Sequence, residues 1–210
     1  MRPGWPAAAC ATILLLAAAS AGASDETSWA PVPQDAAEHD RLEHGALIVR
    51  VRDSATGSGI AVLAAGVVDA PPARVWPVLR DCQRYEEFLP RVEHSARRVE
   101  DGRTICVADI DLPFPLRDIH SETRVENVEL PDGMGYERRW VLWRGNYRHN
   151  EGTWTLHPWG AAAARTLAVY RVDVDIGRFV PDFLQRLVQR RTAAELFGAV
   201  RRRALAPPSG

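Results

Sequence analysis

Apolar and polar positions alternate along much of the chain between residues 46 and 176. Residues 46–52 (ALIVRVR) alternate apolar and charged side chains, and residues 60–69 resume a β-prone run after a turn cluster of Ser, Thr and Gly at 54–59. Alternation with a period of two is typical of a half-buried strand. The pattern therefore predicts a β-hairpin here.

Six further strands are predicted downstream, at residues 93–99, 104–112, 119–130, 136–143, 152–156 and 166–176, with turn sequences rich in Asp, Pro and Gly between several of them. In the last of these strands Tyr170 and Val172 share one face, whereas Arg171 and Asp173 share the other. An antiparallel sheet with one covered face and one wet face produces this pattern.

Two helical regions complete the pattern. Pro71 and Pro72 precede apolar residues at helical spacing up to residue 89, which predicts a short, broken helix after the hairpin. From Pro181 onward apolar residues recur every three or four positions, at Val180, Phe183, Leu184, Leu187, Val188, Ala194, Phe197 and Val200, and most arginines of the segment fall elsewhere. Such an amphipathic helix needs an apolar partner, which the strands supply. The predicted fold class is α+β, with a curved antiparallel sheet around a long C-terminal helix.

The N-terminal 23 residues have the features of a cleaved signal peptide. Arg2 is followed by an apolar run at 7–19 and by small residues at 21–23. This run is too short to cross a bilayer, which takes about 20 residues. We therefore expect a periplasmic or secreted protein with a partly disordered leader at 24–44, one domain at 45–205 and a disordered tail at 206–210. No transmembrane segment is expected after cleavage.

The charge and the cysteines of the chain narrow the possible partners and the possible cysteine chemistry. The formal net charge is −1, and every basic side chain other than histidine is Arg. This balance argues against a nucleic-acid partner, which needs a concentrated positive surface. Cys10 leaves with the signal peptide. Cys82 and Cys106 then either form a disulfide, as an oxidising compartment permits, or remain two buried apolar thiols.

The sequence contains no recognisable catalytic or metal-binding motif. There is no HExxH or CxxC motif, no Gly-rich phosphate loop and no G-x-S-x-G elbow. We therefore predict no metal, no cofactor and no catalytic residue.

Several short segments resemble the START-like superfamily, also called SRPBCC, and within it the coenzyme Q-binding and polyketide cyclase/dehydrase-like branch. They are VDAPP at 68–72, VWPVLRD at 75–81, YEEFLP at 85–90, PLRD at 115–118 and NEGTW at 150–154. The resemblance extends over roughly residues 45–204 and implies a helix-grip fold in which the sheet wraps the long helix and leaves a cavity. Most members of the superfamily bind lipids, sterols, quinones or other apolar molecules, and a minority are enzymes.

The candidate ligand-binding residues are Trp76, Phe88, Phe114, Arg117, Trp140, Trp154, Tyr170, Phe183, Leu184, Leu187 and Val188. The aromatic and aliphatic residues fit an apolar site, although each also fits an ordinary core. Trp140 and Trp143 differ in strand parity, so at most one of them faces inward. Arg117 suits a carboxylate, phosphate or carbonyl headgroup, and it equally suits an ion pair with Asp118 or a surface position.

Two hypotheses of function follow. The first is an exported, monomeric, non-catalytic carrier of an apolar small molecule, for which transient membrane contact stays open. The second is a cyclase- or dehydratase-like enzyme acting on a polyketide or aromatic intermediate, with Arg117, Asp118, His120 or Tyr170 as its acid or base. Export favours the first, because such biosynthesis is normally cytoplasmic.

Overall fold

The structure, a computed structural model, describes residues 32–112, 118–176 and 182–207, with side chains described from residue 191 onward in the last range. The predicted signal peptide, the first part of the predicted leader and residues 208–210 lie outside the described residues.

Eight antiparallel strands form one curved sheet. They are β1 (Ile48–Asp53), β2 (Ile60–Val68), β3 (Val92–Glu100), β4 (Arg103–Ile110), β5 (Ile119–Leu130), β6 (Gly135–Gly145), β7 (His149–Trp159) and β8 (Arg165–Asp175). Their order in the sheet is β1-β2-β8-β7-β6-β5-β4-β3, so the last strand pairs with the first hairpin. All eight predicted strands are present, and β7 extends beyond its predicted bounds at both ends. This confirms the α+β prediction and the antiparallel sheet.

Within the described residues, three α-helices accompany the sheet: α1 (Ala36–Glu43), α2 (Pro72–Arg80) and the C-terminal α3 (Asp182–Leu205). The backbone at Asp81 leaves helical geometry, and a 3-10 helix follows at Cys82–Glu87. The predicted short, broken helix between the hairpin and the third strand is therefore confirmed. Among the described helices, none is both long enough and apolar enough to cross a membrane.

The outer face of the sheet is not wet throughout. Helix α1, assigned above to a leader, packs its buried Leu42 against β2 and β8, and the residues of this outer cluster are Val32, Leu42, Ile48, Leu63, Ala65, Val67, Leu167 and Val169. Every residue of β2 is consequently buried. The prediction that the outer face of the sheet is exposed to solvent therefore does not apply to the first part of β8. The mostly polar helix α1 covers this part, because its apolar residue Leu42 packs on the sheet.

The inner face of the sheet packs against α2 and α3. Phe197 is 1% exposed and its ring lies 5.0 Å from that of Trp154. Ala194, which was predicted to face the sheet, is exposed. Ala193 is buried instead, because it lies on the same face of α3 as Phe197 and Val200. Helix α3 therefore contacts the concave side of the sheet, as the amphipathic pattern predicts.

The end of α3 is fixed by polar contacts as well. Arg74 of α2 donates from Nε to the carbonyl of Ala204 (2.8 Å) and from Nη2 to that of Ala206 (3.0 Å). Carbonyls in the last turn of a helix lack partners within the helix, so a guanidinium satisfies them well. Arg201 does not point fully into solvent. Its side chain is half-buried, and its Nε donates to the carbonyl of Val67 at 3.0 Å.

Candidate ligand-binding cavity

A cavity of about 310 Å³ lies on the inner side of the sheet, between β4–β8 and α3. This volume is at the lower end of the range of about 300–1,000 Å³ that is usual for small-molecule sites. The residues around it are mostly apolar: Tyr85, Leu89, Val92, Cys106, Val107, Ala108, Ile110, Leu112, Ile119, Ser121, Thr123, Arg138, Trp140, Tyr147, Asn150, Trp154, Tyr170, Val172, Val174, Ile176, Thr192 and Leu196. The hollow expected from the resemblance is therefore present.

Three of the predicted site residues form an aromatic wall of this cavity. The ring of Tyr170 lies 4.8 Å from that of Trp154 and 5.8 Å from that of Trp140. All three side chains project inward from neighbouring strands β6, β7 and β8, and Trp154 pairs with Tyr170 in register. Trp143 points outward, with the guanidinium of Arg124 3.1 Å from the centre of its ring. The parity argument on Trp140 and Trp143 therefore holds.

Trp140 owes its position to the glycine opposite it. Gly152 pairs with Trp140 across β6 and β7, and a Cβ atom on Gly152 would lie 2.3 Å from the indole. The indole N–H of Trp140 donates to Oδ1 of Asn150 at 3.0 Å. These two contacts hold the ring flat against the sheet, where it lines the cavity.

Trp76 and Phe88 lie in the core and do not line the cavity. Trp76 is 5% exposed and stacks on Tyr136 with ring centres 5.0 Å apart, because the buried face of α2 packs on β6 and β7. Its other edge borders a polar surface cleft. Phe88 packs against the same core below the guanidinium of Arg203, which is 5.7 Å from the ring centre. The structure therefore places neither side chain at this cavity, and their assignment to a ligand site stays a prediction.

Six other predictions lie beyond what the structure describes. Phe114 and Arg117 fall outside the described residues, and so do the side chains of Phe183, Leu184, Leu187 and Val188. They stay predictions. Thr192 and Leu196, about one and two turns beyond Val188 in α3, do line the cavity.

Sequence analysis missed a buried arginine in the cavity wall. Arg138 is 3% exposed, and its Nη1 donates to Oδ1 of Asn127 (3.1 Å) and to the carbonyl of Arg80 (3.3 Å). Its Nη2 lies 3.0 Å from Sγ of Cys106. The sequence contained a signal for this inward position. Arg138 has the same parity in β6 as Trp140, whereas Arg139 has the opposite parity.

Cys82 and Cys106 form a disulfide, with Cα atoms 6.0 Å apart. This separation lies in the usual range of about 4.4–6.8 Å. The sequence left open a disulfide or two buried apolar thiols, and the structure has the disulfide. The bond ties the 3-10 helix, which precedes Leu89 and carries Tyr85, to β4, so it fixes one part of the cavity wall to another.

The polar groups of the cavity are hydroxyls, one amide and one guanidinium. Burial raises the pKa of Tyr147 to about 12 and also raises the pKa of Tyr170, so both phenols stay protonated. Among the described residues, neither hydroxyl has a hydrogen-bond partner. Ser121 and Thr123 add two further hydroxyls, and the described part of the wall includes no Asp, Glu or His.

The other candidates for acid–base chemistry lie outside the cavity. His120 points outward, and its Nδ1 lies 2.6 Å from Oδ1 of Asp109; this hydrogen bond raises the pKa of His120. Asp118 is exposed and accepts a hydrogen bond from the backbone N–H of Leu112 at 3.4 Å. Within the described ranges, no group of three or more Cys, His, Asp or Glu side chains could hold a metal ion.

Solved structures of low sequence identity share this fold. A STAR-related lipid transfer protein from Xanthomonas axonopodis has a TM-score of 0.64 at 19% identity, covering 76% of this chain and 94% of that one. Human StAR-related lipid transfer protein 5 has a TM-score of 0.62 at 13% identity over 76% and 82% of the two chains. An aromatase/cyclase from a Streptomyces species has a TM-score of 0.54 at 19% identity over 74% and 94%. These similarities confirm the helix-grip fold.

Sequence comparison identifies the family. No curated protein sequence matches the chain at a significant level. The family model described as "polyketide cyclase / dehydrase and lipid transport" matches residues 68–201, from the end of β2 to the last turns of α3. The match spans the cavity-lining strands and the helix that packs on them, and it covers more than half of the sequence. The chain therefore belongs to the polyketide cyclase/dehydrase and lipid transport family.

Proposed function

We propose that this chain is an exported binding protein that carries an apolar small molecule in the cavity between the sheet and α3. The observation that carries the proposal is the lining of that cavity. Its wall is largely aromatic and aliphatic, its polar groups are hydroxyls, one amide and one guanidinium, and its described part offers no carboxylate or imidazole. Removing apolar ligand surface from water contributes about 25 cal/mol per Å², which is sufficient for useful affinity without any chemistry.

The same lining argues against the enzyme hypothesis. A cyclase or dehydratase needs a positioned acid or base within hydrogen-bond reach of its substrate. Of the four candidates, Tyr170 lines the cavity with a raised pKa that makes it a poor base, whereas His120 and Asp118 project elsewhere. Arg117 falls outside the described residues. The solved aromatase/cyclase shares the fold, and fold alone does not imply its chemistry.

Export is part of the proposal. The basic, apolar and small-residue pattern at 1–23 supports it, and a disulfide is typical of an oxidising compartment. Expression with the native N terminus in a Gram-negative host tests it. We expect a periplasmic product that begins near Ser24, as read by N-terminal sequencing, and a monomer by light scattering. A full-length cytoplasmic product would contradict export and leave the binding proposal to its own test.

The binding proposal is tested by incubating the purified protein with an envelope lipid extract, re-purifying it and identifying co-eluting molecules by mass spectrometry. Ala108 lines the cavity, so Ala108→Phe should fill part of it and abolish co-elution. Val141→Phe is the matched control, because Val141 is 47% exposed on the outer face of β6. If no apolar molecule co-elutes with the wild-type protein, or if Ala108→Phe retains as much as Val141→Phe does, the carrier proposal is wrong.

A further inference from the structure

We infer that the ligand carries a carboxylate, which pairs with the guanidinium of Arg138 in the wall of the cavity. This inference rests on the proposed carrier function and adds to it the chemistry of the ligand's headgroup. Arg138 carries the argument, through its burial, its partners and its position in the sheet.

Arg138 is a buried charge without a described counterion. No carboxylate oxygen of the described residues lies within ion-pair distance of its guanidinium, although the chain forms many Arg–Glu pairs elsewhere. Its hydrogen-bond partners are a backbone carbonyl, the amide of Asn127 and the disulfide sulfur of Cys106, and the ring centre of Tyr85 lies 5.9 Å from the guanidinium carbon. All of these groups are neutral. Burying a cation without a counter-charge is costly, so a cavity wall that contains one favours an anionic occupant.

The guanidinium also retains unused donors. It has five N–H groups in a planar fork. Three of them contact the partners above, which leaves the Nε–H and one Nη2–H without an acceptor among the described residues. Two N–H groups on adjacent nitrogens match the two oxygens of a carboxylate, and such paired contacts are among the strongest hydrogen bonds in proteins.

The sheet register places this donor pair at one end of an otherwise apolar space. Arg138 pairs with Trp154, which pairs with Tyr170, so the three form one row across β6, β7 and β8 next to the filled core around Phe197. Ile119, at the other end of β5 from the Asn127 that pairs with Arg138, and Ile176, directly after β8, also line the cavity. A ligand with one anionic end and an apolar body fits this polarity, with its head at Arg138 and its body towards the isoleucines.

Binding of matched amphiphiles tests the inference. Decanoate, decanol and decanamide share a chain and differ in the head, and their affinities for the intact protein can be measured by calorimetry at a pH where decanoate is ionised. We expect decanoate to bind about ten- to a hundredfold more tightly than either neutral molecule, the range expected for hydrogen bonds to a charged group. Naphthoate in place of decanoate shows whether an aromatic acid or an alkyl acid fits the body of the cavity better.

Three substitutions distinguish the guanidinium of Arg138 from positive charge in general. Arg138→Met keeps most of the volume and should reduce decanoate affinity to that of decanol while leaving decanol within about twofold, since the apolar contacts persist. Arg139→Met is the matched control, because Arg139 follows directly and its side chain is 55% exposed on the outer face. It should leave all three affinities unchanged. Arg138→Lys retains the charge without the fork and should fall between wild type and Arg138→Met.

Each outcome decides a separate point. Equal binding of decanoate and decanol by the wild type overturns the carboxylate inference and leaves the carrier proposal intact. The same holds if Arg138→Met keeps the wild-type preference. Failure of the wild type to bind any of these probes or any envelope lipid overturns the carrier proposal itself. The wild-type comparison needs no variant, so it decides the inference even if Arg138→Met does not fold.

Discussion

Breaking the disulfide should lower the free energy of unfolding by about 3.5 kcal/mol at 25 °C. The bond between Cys82 and Cys106 closes a loop with a sequence separation of 24, which contains the 3-10 helix, β3 and the first half of β4. A cross-link of this length restricts the unfolded chain, and the loop-closure relation gives the figure above. The Cα separation of 6.0 Å is a usual one, so the folded state accommodates the bond without moving the backbone.

Chemical unfolding followed by tryptophan fluorescence measures the effect. The oxidised chain, the chain in reductant and the double variant Cys82→Ala/Cys106→Ala are compared, and free thiols are counted in each. The reduced chain and the double variant should unfold at similar, lower denaturant concentrations. Reductant should not shift the double variant further, which controls for an effect of the reductant itself.

The same perturbation should weaken ligand binding, because the 3-10 helix carries Tyr85 and leads into Leu89, and both line the cavity. A reduced chain with two free thiols that unfolds at the same denaturant concentration as the oxidised chain would refute the reasoning. So would a double variant as stable as wild type. Either result would mean that the loop between the cysteines is already constrained in the unfolded chain.

Four further predictions concern stability. Arg74→Met should lower the free energy of unfolding by about 1–2 kcal/mol in chemical denaturation, because it leaves carbonyls at the end of α3 without donors; no change would mean that water replaces the guanidinium. Gly152→Ala should lower it by about 1–3 kcal/mol and alter the fluorescence of Trp140, which occupies the space of the new methyl group. Gly198→Ala, in the helix with only the mobile end of an arginine nearby, should instead raise it by up to about 1 kcal/mol. The pKa of His120 is raised above 6.5, so its stabilising contribution is complete below that pH and lost as the pH rises through the raised pKa. His120→Gln should flatten this part of the pH–stability curve, and an unchanged curve would contradict the assignment.

The strands could be predicted because period-two alternation depends only on local sequence. On β6 the inward positions are Arg138 and Trp140, and the outward ones are Arg139 and Val141. Parity alone separates these two sets once the strand is recognised. The prediction that Trp140 and Trp143 face opposite sides needed no knowledge of strand order, and the structure agrees with it.

The site could be predicted only in part, because a cavity wall is assembled across strands. Arg138, Trp154 and Tyr170 are far apart in sequence and meet through the pairing of β6 with β7 and of β7 with β8. An arginine within a charged run (ERRW) looks like a surface residue until its parity is combined with this register. The outer cover of β2 by α1 was missed for a similar reason, since Leu42 is a single apolar residue in a charged segment.

The hollow itself follows from where the large side chains are. At the end of the sheet near β1, β2 and α2, helix α3 packs closely, and Trp76, Trp154, Leu156 and Phe197 fill the space. The inner faces of β4 and β5 instead carry small side chains, including Ala108, Ser121 and Thr123. A curved sheet keeps these positions at a distance from the helix, and side chains of this size cannot fill that distance. Protein interiors otherwise pack at crystal-like density, so the space of about 310 Å³ beside these small side chains leaves contacts unmade that, on the proposed function, the ligand supplies. The guanidinium of Arg138 in the same wall is the group that we infer to select the carboxylate of that ligand.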